Sequence, residues 1–309
     1  MSVILPRTQE KLKGLPMNDK IEKLISKELS FRAAVVVASD VVREMQSIQN
    51  TYPLATMAVG RSMIAAALMA SNLKTHQLVS LYFRGNGPME MFFAEADHEG
   101  NVRGYTPQPQ LQGPDLRVGP AIGQGLLTVV HSHPQQKAPQ RGTVAIQTGE
   151  VGDDVAFYLF QSHQIKSLLS LGVMVNSYGM VQSAAGILIE LLPGYADTTV
   201  QTLEKNFKEA SSISEMVAEG AGVPEIVATY LKGLPVHQLE HPHSLTYRCR
   251  CSKERLGNAL ALLGHLEVEG MIQENKAAEA RCEFCGRKYI LEIEELQMLL
   301  EKLRAGPTH

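Results

Sequence analysis

The chain has 309 residues, of which 44% are hydrophobic and 20% charged, with a formal net charge of −3 and a pI of about 6.4. That length allows two or more domains and a sizeable core. The near-neutral balance gives no bulk attraction to nucleic acid or to a membrane surface, so neither partner is expected. The N-terminal thirty residues lack a long apolar core and a small-residue cleavage site, so no secretory signal is expected. The most apolar run, MIAAALMA at 63–70, falls far short of the roughly 20 residues of a membrane span and reads as a buried helix. A cytosolic compartment is therefore expected, where thiols stay reduced and clustered cysteines point to metal or redox chemistry.

Residues 1–29 are polar and mixed in charge, with a helical pattern in DKIEKLISKELS; they read as an appended arm or a loosely attached extension. The valine-rich SFRAAVVVAS is a strand. Ser39 and Asp40 are positioned to cap a helix, and Pro53 suits the first turn of a second one through LATMAVGRSMIAAALMASNLK. Next comes a meander, QLVSLYFR to MEMFFAEAD to VRGYT, joined by GNGP and HEGN, whose glycines and asparagines suit tight turns. Further strands are expected in GLLTVVH and GTVAIQ. A helix near Asp153 and Asp154 carries Val155, Tyr158 and Leu159 on one face, and the strands LLSLGVMVN and AAGILIELL flank a turn at SYG. Strands in runs, with helices beside them, define an α+β domain over residues 30–194.

Beyond Pro193 and Gly194 the signal is helical but thin. Val200, Leu203 and Phe207 form one face, and the next segments are broken by EGAGVP and KGLP. Short helices of this kind need a surface to pack on. Residues 195–243 therefore read as a metastable helical linker or as an ordinary helical connector. Residues 244–309 form a small third region, with one helix carrying Leu256, Leu260 and Leu263 and a final helix carrying Ile293, Leu296, Leu300 and Leu303. A core that small commonly needs a metal or disulfides.

This region holds every cysteine of the chain: Cys249, Cys251, Cys282 and Cys285. Two close pairs can supply four thiolates to one tetrahedral Zn²⁺, and zinc bound in this way contributes folding free energy directly. His237, His241, His243 and His265 are rival ligands for a Cys₃His site. The first pair is C-x-C, where zinc ribbons mostly use two C-x-x-C knuckles. Arg248, Arg250, Lys253, Arg255, Arg281, Arg287 and Lys288 could offset the −2 charge of a tetrathiolate zinc site and favour the oxidisable thiolate, with Glu254 and Glu283 weakening the effect; alternatively they form a solvated face. On the first view Arg250→Glu slows thiol oxidation. CEFC does not fit a disulfide oxidoreductase, because GRKYIL after it reads as turn then strand, not helix. HSHP at 131–134 resembles the JAMM-type metalloprotease motif, but Arg141 and Val144 stand where its serine and aspartate belong, so it reads as a strand end and turn. No phosphate-binding glycine loop is present, no ATP dependence is supported and no enzymatic activity is expected.

The stretch YRCRCSKERLGNALALLGHLEVEGMIQENKAAEARCEFCGRKY closely resembles the redox-switch domain of the bacterial heat-shock holdase family known as the 33-kDa chaperonin, whose signature is C-x-C…C-x-x-C. GNGPMEMFFAEADHEGNVRGY, YLFQSHQIKSLLSLGVMVN and AAGILIELLPG resemble its N-terminal domain, so the resemblance covers roughly residues 30–304. It implies an ATP-independent chaperone that is zinc-bound and inactive when reduced. Oxidation would join Cys249 to Cys251 and Cys282 to Cys285, release the metal, unfold the linker, and yield a homodimer that binds unfolded client proteins. The alternative from a different class is a constitutive zinc-ribbon adaptor.

Overall fold

The computed structural model describes residues 19–305 apart from Pro114, Lys137 and Glu240. It is α+β, as expected from the strand runs. The chain opens with a hairpin of β1 (Lys20–Ser26) and β2 (Phe31–Val37), then α1 (Ser39–Gln49) and α2 (Pro53–Ala70). The meander is β3 (Leu78–Gly85), β4 (Met91–Asp97) and β5 (Asn101–Tyr105). A short α3 (Val118–Ile122) leads to β6 (Gly125–Ser132), β7 (Gln140–Ala145), α4 (Val151–His163), β8 (Ser167–Val175) and β9 (Val181–Leu191).

Two sheets result. The first runs β1-β2-β9-β8 and the second β5-β4-β3-β6-β7, all antiparallel. Helix α2 lies between them. Two glycines let it approach: a Cβ on Gly186 of β9 would fall 2.5 Å from Ile64, and one on Gly104 of β5 would fall 2.8 Å from Val59. The apolar run within α2 is thus explained by burial; 83% of it is inside the fold.

The expectation for residues 1–29 needs correction where the structure describes them. DKIEKLISKELS is not a helix: residues 20–26 form β1, paired with β2 along its whole length. Ile21 and Leu24 are buried, and the first sheet begins at Lys20. The rest of the arm lies outside the described residues. The cap of α1 differs too. The Ser39 hydroxyl is not a cap; it accepts from the Ala184 amide at 3.0 Å, while the Asp19 carboxylate accepts from the Val41 amide at 2.7 Å and so caps the helix from outside it. Burial raises the Asp19 pKa to about 7, although its bonds to the Val41 and Asp40 amides oppose that rise.

β2 explains its own composition. Ala34 and Val36 face one core, shared with α1 and α2, while Phe31, Ala33, Val35 and Val37 face a second. With both faces covered, alternation gives way to a continuous apolar run. The second core is closed by α5 (Asp197–Glu209), α6 (Ile213–Ala218) and α7 (Val223–Tyr230), which lay Leu203, Ile213, Val217 and Ile226 on Val35, Ile187 and Ile189. Burial of such side chains stabilises by roughly 1.5–3 kcal/mol each, offset by the cost of ordering three short helices.

After α7 the chain crosses both sheets in three two-residue strands. β10 (His237–Gln238) and β11 (His243–Ser244) pair with β1, and β12 (Thr246–Tyr247) pairs in parallel with β5. The C-terminal region then packs α8 (Lys253–Leu263), α9 (His265–Gln273), the hairpin β13 (Ala278–Arg281) and β14 (Lys288–Leu291), and α10 (Ile293–Ala305). Leu256, Leu260, Leu296 and Leu300 join its core as expected, but Leu263 is 58% exposed.

Candidate metal centre

Cys249 lies just after β12, and Cys251 precedes α8, whose N-cap Ser252 accepts from the Arg255 amide at 3.2 Å. Cys282 and Cys285 sit in the turn of the β13–β14 hairpin. There the Cys282 amide donates to the Arg287 carbonyl and the Gly286 amide to the Cys282 carbonyl, at 2.9 and 2.8 Å. Gly286 takes φ +67°, a conformation side chains resist, and this closes the tight turn that aims both sulfurs the same way.

The four Sγ atoms lie within 4.8 Å of one another. The shortest separations cross between the pairs: Cys249 to Cys282 at 3.4 Å and Cys251 to Cys285 at 3.3 Å. Tetrahedral Zn–S bonds of about 2.3 Å place sulfurs roughly 3.8 Å apart, so the quartet fits one metal ion. The group includes no histidine, so among the described residues His237, His241, His243 and His265 are not brought to the sulfurs. HSHP ends β6 and enters a turn, as expected.

Burial pushes the Cys249 thiol up to about 12, and the neighbouring Cys282 adds to it. At Cys251 burial acts in the same direction, but hydrogen bonds from Tyr289 and the adjacent thiols outweigh it and bring the value down to about 7. The Tyr289 hydroxyl stands 3.1 Å from the Cys251 sulfur. A coordinated divalent ion would deprotonate all four.

The basic residues flanking the cysteines are placed differently from the electrostatic expectation. Arg250 forms an ion pair with the buried Asp97 of β4, Lys253 pairs with Glu295, and Arg281 donates to the Gly286 carbonyl. Burial alone would raise the Asp97 pKa; bonds from the Asn101 side chain, the Asn101 and Glu99 amides, and Arg250 bring it below the usual carboxylate range. Arg250 therefore ties the small domain to the second sheet. The guanidinium that comes to a sulfur is instead that of Arg103 in β5, 4.0 Å from Cys249.

Sequence reasoning also missed Phe284, inside CEFC. Its ring packs edge-on against Phe93 and Tyr105, with centroids 5.5 and 4.9 Å away, and Arg103 lies 4.1 Å from its centroid. Its carbonyl accepts from the Tyr247 hydroxyl at 2.6 Å. An aromatic between two cysteines is the one local signal that could have suggested an anchor. The metal centre is thus built against the second sheet.

The family model described as Hsp33 protein matches residues 19–292. A 33 kDa chaperonin of Desulforamulus reducens is 34% identical over 93% of this chain and 99% of its own length, and one of Shouchella clausii is 36% identical over 93% and 98%. The solved structure of the 33 kDa chaperonin (heat shock protein 33 homolog) from Thermotoga maritima superposes with a TM-score of 0.83 at 31% identity, over 92% of this chain and 98% of that one. The chain belongs to the Hsp33 family.

Proposed function

We propose that this protein is a redox-controlled, ATP-independent chaperone of the cytoplasm, a holdase that protects unfolding proteins during oxidative stress. In the reduced state Cys249, Cys251, Cys282 and Cys285 hold one Zn²⁺, which supplies folding free energy to a domain with a small core of its own. The observation that carries the reading is the convergence of four sulfurs within 4.8 Å on a turn whose central Phe284 docks onto the body. Loss of the site would undo that docking.

Oxidation joins Cys249 to Cys251 and Cys282 to Cys285, the pairing implied by the family resemblance. Each bond takes two electrons from two thiolates; a peroxide accepts them with two protons and leaves as two waters. Sulfurs joined in this way no longer hold the ion. Pairs this close in sequence close short loops at little entropic cost. The region around residues 195–243 then loosens from the first sheet, and the apolar face of Phe31, Val35, Ile187 and Ile189 becomes available to unfolded client proteins and to a second copy of the chain.

The test tracks metal release, with a chromophoric chelator, and suppression of thermal aggregation of a client during one peroxide time course. Suppression should rise with release and be absent while the metal is held. Equal suppression by the metal-bound protein sinks the redox control. Metal retained after peroxide would favour the constitutive zinc-ribbon adaptor.

A further inference from the structure

The outer edge of β5 is occupied by backbone from elsewhere in this chain. The Gly100 carbonyl accepts from the Thr246 amide and the Val102 carbonyl from the Arg248 amide, each at 3.0 Å. The third outward carbonyl, Gly104, accepts from the Gln49 side chain at 2.5 Å. Gly100 has φ +82°, and a Cβ there would fall 2.4 Å from the Ser244 carbonyl oxygen, so the edge is shaped to admit a second backbone closely. Beside it, Phe93 and Tyr105 form an aromatic seat filled by Phe284.

The occupant is weakly held. β12 is two residues long, and paired segments of that length have little stability of their own. Its last edge bond comes from Arg248, the residue adjoining Cys249, and its aromatic plug lies between Cys282 and Cys285. Both attachments are therefore fastened to the sulfur site. The edge of β1 is also covered by short strands, β10 and β11, but Lys20, Glu22 and Lys23 line that strand and charges of this kind guard an edge against pairing.

We infer that the β5 edge with the Phe93–Tyr105 seat is a client-capture surface. In the metal-bound state Thr246–Arg248 and Phe284 occupy it; once they leave, an extended segment of an unfolding polypeptide adds as a strand, with an aromatic or large apolar side chain in the place of Phe284. Strand addition relies on main-chain bonds, so it accepts many sequences, as a holdase must. The inference rests on the redox-controlled holdase reading.

The experiment uses the full chain, oxidised until metal release is complete, and a reduced, carboxymethylated polypeptide that cannot refold. Hydrogen exchange at the Val102 and Gly104 amides, which share the outward side of β5, should slow at least roughly tenfold on adding the polypeptide, as edge bonds form. Tyr105→Ser should weaken binding about fivefold, the scale of one aromatic pair, while releasing metal no more slowly than the unaltered chain. The two effects run in opposite directions, since Tyr105 serves both the lock and the capture. Unprotected edge amides with binding unchanged in Tyr105→Ser overturn this inference and leave the holdase reading standing. Failure of the unaltered, metal-free chain to bind the polypeptide overturns both.

Discussion

The body built on the two sheets and the C-terminal domain obey different rules of stability. In the body, β2 is sandwiched between two cores, and Phe31, Val35, Ile64, Phe83 and Ile187 are wholly buried. In the C-terminal domain the buried core is six side chains, Leu260, Val268, Ala278, Leu291, Leu296 and Leu300, while Leu262 and Leu266 stand 89% and 72% exposed. The first has enough apolar area to outweigh chain entropy; the second depends on four sulfurs and on docking to the first. One chain thus carries a permanent part and a conditional part, and the metal centre lies where they meet.

Metal removal should separate them most widely. In the reduced protein, a strong chelator should abolish amide protection across residues 253–300 and leave residues 20–37 and 181–191 protected, because a structural zinc site contributes on the order of 10 kcal/mol or more. Simultaneous loss in both regions would show a single cooperative unit.

A smaller effect probes the one electrostatic defect in the body. Asp19 has a pKa raised to about 7 by burial. The folded state binds the extra proton between the ordinary carboxylate range and about 7, so stability of the β1–α1 unit should fall as pH rises through that window and level off above it. Chemical denaturation of the body at pH 6 and pH 8 reads this difference, and Asp19→Asn should flatten it. A dependence of the opposite sign would refute the assignment.

The smallest effect is expected at the boundary. Arg250→Ala removes the ion pair to Asp97; the guanidinium side chain is 38% exposed, so the loss should not exceed about 1 kcal/mol. Metal release under peroxide should quicken by no more than a few fold. Slower release would restore the view that Arg250 acts on the thiolates through its charge.

Much of the permanent part is legible in the sequence because its signals are local. AAVVV and the alternation in the meander are strand patterns, and GNGP and HEGN are turn patterns. β1 is not legible: Ile21, Leu24 and Ile25 fall at helical spacing among lysine and glutamate, and only pairing with β2 makes them a strand. α9 escapes a sequence reading because Gly270 interrupts a nine-residue segment, and two-residue strands such as β12 leave no pattern at all. At the candidate site the cysteine spacings announce a metal centre, whereas its neighbours Arg103, Phe93 and Tyr105 come from a strand pair far upstream. Contacts of that range are set by topology, which no window of residues contains.

The parallel pairing of β12 with β5 also has a consequence in time. The bond between Tyr247 and Gly104 joins residues 143 apart. At ribosomal rates of about 5–20 residues per second, β5 emerges on the order of ten seconds before the strand that covers it. The newborn chain must therefore pass through an interval in which the second sheet is formed and its rim is bare, so the order of synthesis makes the body first and its cover last.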